Sequence, residues 1–119
     1  MEIEYIKKHY PDVELKINSE DKLDWIWISE KQKLSEEFIE NFQDKVDWFY
    51  ISHHQKLTED FIEKFQDKVY WFGISLRQKL SEDFIEKFKY RQWIFLQAQV
   101  NLLNFIFKKE DDKNGNWIH

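Results

Sequence analysis

The chain has 119 residues and a net charge of −5; 18% of it is aromatic, whereas Gly (2) and Pro (1) are nearly absent. That length suits one domain, and the scarcity of turn formers excludes a loop-rich or disordered chain. The absence of cysteine excludes disulfides, thiolate zinc sites and cysteine nucleophiles, and an acidic balance with interleaved signs argues against nucleic-acid binding by phosphate neutralisation.

Residues 1–20 read as an N-terminal cap. The opening MEIEYIKKHY has no apolar core of signal-peptide type. A helix begun at Glu2 must stop before Pro11, whose ring removes a backbone donor, and Val13, Leu15 and Ile17 alternate as a short extended segment would. Tyr5, Ile6 and Val13 echo, loosely, a spacing that recurs further on.

From Asp21 the chain repeats itself: DKLDWIWISEKQKLSEEFIENFQ (21–43), DKVDWFYISHHQKLTEDFIEKFQ (44–66) and DKVYWFGISLRQKLSEDFIEKFK (67–89) follow without a gap, a period of 23. A fixed period of this size marks a repeat array, in which each unit buries too little alone to offset the ordering of its backbone and stacking on neighbours is obligatory. In the second half of each unit, Ser35, Thr58 and Ser81 precede an acidic pair and Phe-Ile, the pattern of a helix N-cap, and Leu34, Leu57 and Leu80 stand where a hydrophobic staple requires.

The first half of each unit would also serve as strand material. The copies arbitrate: the unchanged positions Trp25/Trp48/Trp71, Ile28/Ile51/Ile74, Ser29/Ser52/Ser75 and Gln32/Gln55/Gln78 are spaced i, i+3, i+4, i+7, one face of a helix. Asp21, Asp44 and Asp67 are available as caps for it. The expected fold is all-α, with short helix-turn-helix units stacked as a small α-solenoid between capping segments. After Lys89 the register slips, and Trp93, Leu96, Val100, Leu103 and Phe107 share one helical seam. Residues 90–109 are thus expected to form a C-terminal capping helix, for which a homodimer contact through 93–107 is an alternative use, and 110–119 a frayed tail. The seam is interrupted by Gln97, Gln99, Asn101 and Asn104, so no membrane span is expected.

The unit D-K-V-D-W-x-x-I-S-x-x-Q-K-L-S-E-D-F-I-E-K-F resembles a tandem 23-residue repeat of giant DNA viruses and some phages, over residues 21–89. The resemblance implies a viral or phage source, with the host cytoplasm as location, and no particular chemistry. Low Ala, Gly, Arg and Pro beside abundant Lys, Ile, Phe and Asn is also the usage of an AT-rich genome.

No residue pattern reads as an active site. The repeated Ser and Gln suit backbone satisfaction at an inter-helix turn, adjacent His53 and His54 diverge by about 100° on a helix and make no metal pair, and the isolated glycines form no phosphate loop. Neither enzyme activity, a metal nor a cofactor is expected. KFKYRQW (87–93) reads as a solvated last turn despite Lys87, Lys89 and Arg91 beside Tyr90 and Trp93.

The remaining candidate is the face that varies between copies. It comprises Trp27, Glu30 and Lys31 in the first unit, Tyr50, His53 and His54 in the second, and Tyr70, Leu76 and Arg77 in the third. Aromatic residues and arginine are common interface anchors, so this face is expected to bind a host or viral protein, with no direct nucleic-acid contact. The rival expectation is a small acidic inhibitor of a nucleic-acid enzyme of host defence, its repeated carboxylates imitating a phosphate backbone.

Overall fold

The computed structural model describes residues 2–89, 91, 100 and 103–108. The elements run α1 (Glu2–His9), α2 (Trp25–Lys31), α3 (Glu36–Asn41), α4 (Trp48–His54), α5 (Glu59–Lys64), α6 (Trp71–Arg77) and α7 (Glu82–Lys87), and residues 103–108 are also helical. Among the described residues there is no strand, only an isolated bridge between Ile17 and Leu23. The fold is all-α: α2, α4 and α6 are the first helices of successive 23-residue units and α3, α5 and α7 the second, with α2 packed on α4 and α4 on α6.

Each unit is closed by the same aromatic triad. Trp48 lies 5.4 Å from Phe65 and 6.2 Å from Phe61, whose rings are 4.7 Å apart; Trp25 with Phe38 and Phe42, and Trp71 with Phe84 and Phe88, repeat the arrangement. Ring centroids at these separations favour tilted packing and add to the gain from burial. Ile28, Ile51 and Ile74 are fully buried beside them. One helical face therefore holds the constant Trp and Ile, as their spacing requires.

Between units the joints are polar and periodic. The Gln55 amide spans the seam: its Nε2 donates to the carbonyls of Ser29 (2.9 Å) and Gln32 (2.7 Å), while its Oε1 accepts from the Leu34 N–H (2.9 Å). Gln78 repeats the rung one unit later, towards Gln55 and Leu57. Gln32 makes it one unit earlier, accepting from the Glu14 N–H in the N-terminal segment. Ser29 and Ser52, both fully buried, accept from the N–H of Asp47 and Tyr70 in the following unit. Turn backbone that would otherwise be buried without partners is satisfied by the next copy.

The second helices begin where the sequence places them, with Ser35, Thr58 and Ser81 each accepting from the N–H three residues on. The first helices do not. Their N-caps are Asp24, Asp47 and Tyr70, three residues after the expected Asp21, Asp44 and Asp67. The cause lies in the preceding element: the N–H groups of Lys45 and Val46 still bond to the Phe42 carbonyl, and those of Lys68 and Val69 to Phe65, so the chain is completing the previous helix's last turn where the sequence suggests a new start. Asp44 and Asp67 instead pair with Lys68 and Arg91, and Asp21 adopts a left-handed φ of 59°.

At the N-terminal end, α1 stops before Pro11 as expected. Ile6 is fully buried, and Ile3, Tyr10, Val13 and Leu15 pack partly buried on the same core. The Tyr10 ring meets Phe38 edge-on at 4.9 Å, and its hydroxyl donates to Glu37 and accepts from Asn41. Burial pushes this phenol up from its ordinary value, the bond from Asn41 opposing and Glu37 reinforcing the shift. At the other end, Val100, Leu103 and Phe107 of the expected capping seam are exposed, and its members Trp93 and Leu96 lie outside the described residues, as does the whole of the expected tail, 110–119. No helix among the described residues is long and apolar enough to cross a membrane.

Candidate interaction surface

The surface left over when the joints are made lies on the first helices. Each begins at the constant Trp, so the next residue stands in the first helical turn and points away from the core. Ile26, Phe49 and Phe72 occupy that position and are about half exposed. The sequence signal was present, an apolar residue after Trp in every copy, but it belonged neither to the constant face nor to the face that varies most.

The expected site residues are brought together unevenly. Phe49, His53, Tyr70 and Phe72 form one patch across α4 and α6: Phe49 is 4.2 Å from His53 and 5.6 Å from Tyr70, and His53 lies 6.5 Å from Phe72. Leu76 is exposed on α6 one turn beyond Phe72. Trp27 and Tyr50 are half-buried; Trp27 packs on the core with the Lys16 ammonium 5.6 Å above its ring, and Tyr50 stacks on exposed His54 at 5.9 Å. Glu30 and Lys31 are neighbours at 3.9 Å, Glu30 half-buried, and Arg77 is exposed. The nine expected residues thus divide between the patch, the seams beside it and the ends of the first helices.

Two features of the patch depart from the unit's own local rules. Asp24 and Asp47 cap α2 and α4 by accepting from the N–H of Trp27 and Tyr50, whereas Tyr70 caps α6 with no side-chain bond and is 52% exposed. Gly73 occupies the position of Trp27 and Tyr50 inside a helix, where glycine is disfavoured. A Cβ at Gly73 would stand 2.6 Å from the His53 imidazole, so the missing side chain makes room for that ring. His53 Nδ1 lies 2.8 Å from the Phe49 carbonyl; since a carbonyl only accepts, Nδ1 is the donor of this bond.

Among the described residues, no group of three or more His, Cys, Asp or Glu is arranged to hold a metal ion. The arrangement is suited to apolar and aromatic contact with a polar rim. No protein family, curated protein or solved structure matches this chain.

Proposed function

We propose that this chain is a non-enzymatic protein–protein interaction module that binds a host or viral protein through the aromatic patch on α4 and α6. The observation that carries this reading is Tyr70. At the position where two other units use Asp to cap a helix, the third gives up the cap, a contribution of about 1 kcal/mol, and holds an exposed aromatic ring against Phe49. The ring contact only offsets the lost cap, and a local rule broken for no net gain in stability, with the ring left exposed, marks a functional position. Gly73, His53 and Leu76, all departures from the other copies, surround the same point. The repeat's resemblance supports a viral or phage source and action in the host cytoplasm, and the exposed apolar residues at 103–107 keep a homodimer contact through 93–107 as a further proposal.

The rival reading, inhibition of a nucleic-acid enzyme by carboxylate mimicry, has less support. Many of the carboxylates that repeat with the unit are engaged within the array, as Asp24 and Asp47 are in caps and Glu40, Asp44 and Glu63 in ion pairs. Affinity capture from the native host separates the two. A partner retained by the wild-type chain at moderate salt but lost by a Tyr70→Asp, Leu76→Lys double variant supports the apolar patch. A complex that dissolves as salt rises and ignores that variant contradicts it and favours mimicry.

A further inference from the structure

The charges of this chain are distributed unevenly between its edges. Glu36 accepts from both the N–H and the hydroxyl of Thr58, and Glu59 does the same for Ser81, so these carboxylates tie a unit to the next unit's cap. Glu40 and Glu63 hold Lys64 and Lys87 at 2.8 Å, and Asp44 and Asp67 pair with Lys68 and Arg91. Glu36, Glu40, Asp44, Glu59, Glu63 and Asp67 thus serve the joints, whereas Asp60 and Asp83 stay exposed. The basic residues of the inter-helix turn have no such duty: Lys33, Lys56 and Lys79, one per unit, are exposed and have no ion pair among the described residues. Lys31, His54 and Arg77, which end the first helices, flank them on the same edge. The carboxylates nearby are Glu30, set beside Lys31, Glu36 and Glu59, held by Thr58 and Ser81, Glu82 of the last unit, and Asp12 and Glu14 of the N-terminal segment at the Lys33 end.

This edge has regular geometry. The turns run extended, from φ −90°, ψ 147° at Gln32 to φ −75°, ψ 157° at Ser35, and the glutamine rungs fix each turn to the next. Two shallow grooves result, one walled by Lys33, Leu34, Lys56 and Leu57 and the next by Lys56, Leu57, Arg77 and Lys79. The step from one lysine to its copy is the packing distance between neighbouring helices, about 8–10 Å. Three residues of polyproline-like or extended chain advance roughly 9–10 Å.

The geometry points to this edge as a docking site for an extended acidic segment of a partner protein, with Asp or Glu at every third residue facing Lys33, Lys56 and Lys79 in turn. Leu34 and Leu57 line the grooves but are themselves buried, so the lysines carry the recognition. A nucleic-acid strand is the poorer occupant. Grooves for single strands combine charge with aromatic stacking platforms; residues 31–34, 54–57 and 77–80 contain no Phe, Tyr or Trp. This surface differs from the aromatic patch in position and chemistry and does not depend on it.

The test uses the full chain and a short labelled peptide of repeated Glu-Pro-Pro, with binding followed by fluorescence anisotropy at low salt. The expected result is saturable binding, several-fold tighter than for a peptide of equal composition with its glutamates clustered. Reversal of Lys33, Lys56 and Lys79 to Glu should weaken it by at least about tenfold, whereas reversal of Lys7, Lys8 and Lys45, equally exposed and off this edge, should change it about twofold or less. Single Lys56→Glu carries the comparison if the triple variant melts early. Absence of binding, equal binding of the two peptides, equal loss in the two triple variants, or tighter binding of an oligothymidylate would each overturn the proposal.

Discussion

The second helices and the first helices of this array differ in what they leave to solvent. The second helices read EEFIEN, EDFIEK and EDFIEK, nearly one sequence, and their polar side chains reach into the neighbouring unit: Glu36 to Thr58, Glu40 to Lys64, Glu63 to Lys87. The first helices read WIWISEK, WFYISHH and WFGISLR. One side of each is held constant by the Trp, Ile, Ser and Gln contacts, and the other side carries few obligations to the fold. In a repeat array, a position that must serve two units is doubly constrained; a position that serves none can take up binding. The departures from the repeat accordingly collect on α4 and α6.

This contrast can be broken at several strengths. The largest effect is expected from Trp48→Ala, which removes the ring packed on Phe61 and Phe65 together with the Nε1–H bond to the Gln43 carbonyl. It should cost about 3–5 kcal/mol, a large part of a small domain's stability, and abolish cooperative melting. Next comes Gln55→Ala. It strands a buried N–H at Leu34 and frees two carbonyls, and should cost about 2–3 kcal/mol, read from the denaturant midpoint. Glu36→Ala removes the bonds to Thr58 and should cost about 1 kcal/mol; Glu82→Ala, the same position in the last unit, should be close to neutral. The smallest effect sharpens the comparison by its sign. Gly73→Ala gains up to about 1 kcal/mol of helix propensity, yet its Cβ must displace His53 from Phe49. Alone it should be neutral or destabilising, and in a His53→Ala background stabilising, a coupling measurable by a double-mutant cycle.

Much of the architecture was legible in the sequence because copies expose their own constraints. The i, i+3, i+4, i+7 spacing of Trp, Ile, Ser and Gln identified a helix against good strand material, and Ser35, Thr58 and Ser81 announced their helices through side chains that can only cap locally. The starts of the first helices were misread because DKVD offers two aspartates and the choice is made by the preceding helix's closing turn, which bonds Val46 back to Phe42. The candidate surface was half legible. Tyr70, His53 and Leu76 stood out by varying. Phe49 and Phe72 did not, because their position, apolar in every copy, belonged neither to the constant face nor to the face that varies most, and Trp27 was taken as exposed although Lys16 and the N-terminal segment lie against it. The lysine row escaped for the opposite reason: Lys33, Lys56 and Lys79 are constant, and only the pairing of the other charges reveals that they are free.

The most direct test compares neighbours in the chain, Tyr70 and Trp71, which are 52% and 9% exposed. Thermal melts of Tyr70→Asp and Trp71→Ala need no partner protein. Tyr70→Asp restores the cap made by Asp24 and Asp47 and loses the ring contact to Phe49, opposing effects of about 1 kcal/mol each. The account predicts that it melts at or a few degrees above the wild type, while Trp71→Ala loses about 3–5 kcal/mol. If Tyr70→Asp falls with Trp71→Ala by a comparable amount, Tyr70 is holding the array together, and the division between building positions and binding positions is contradicted.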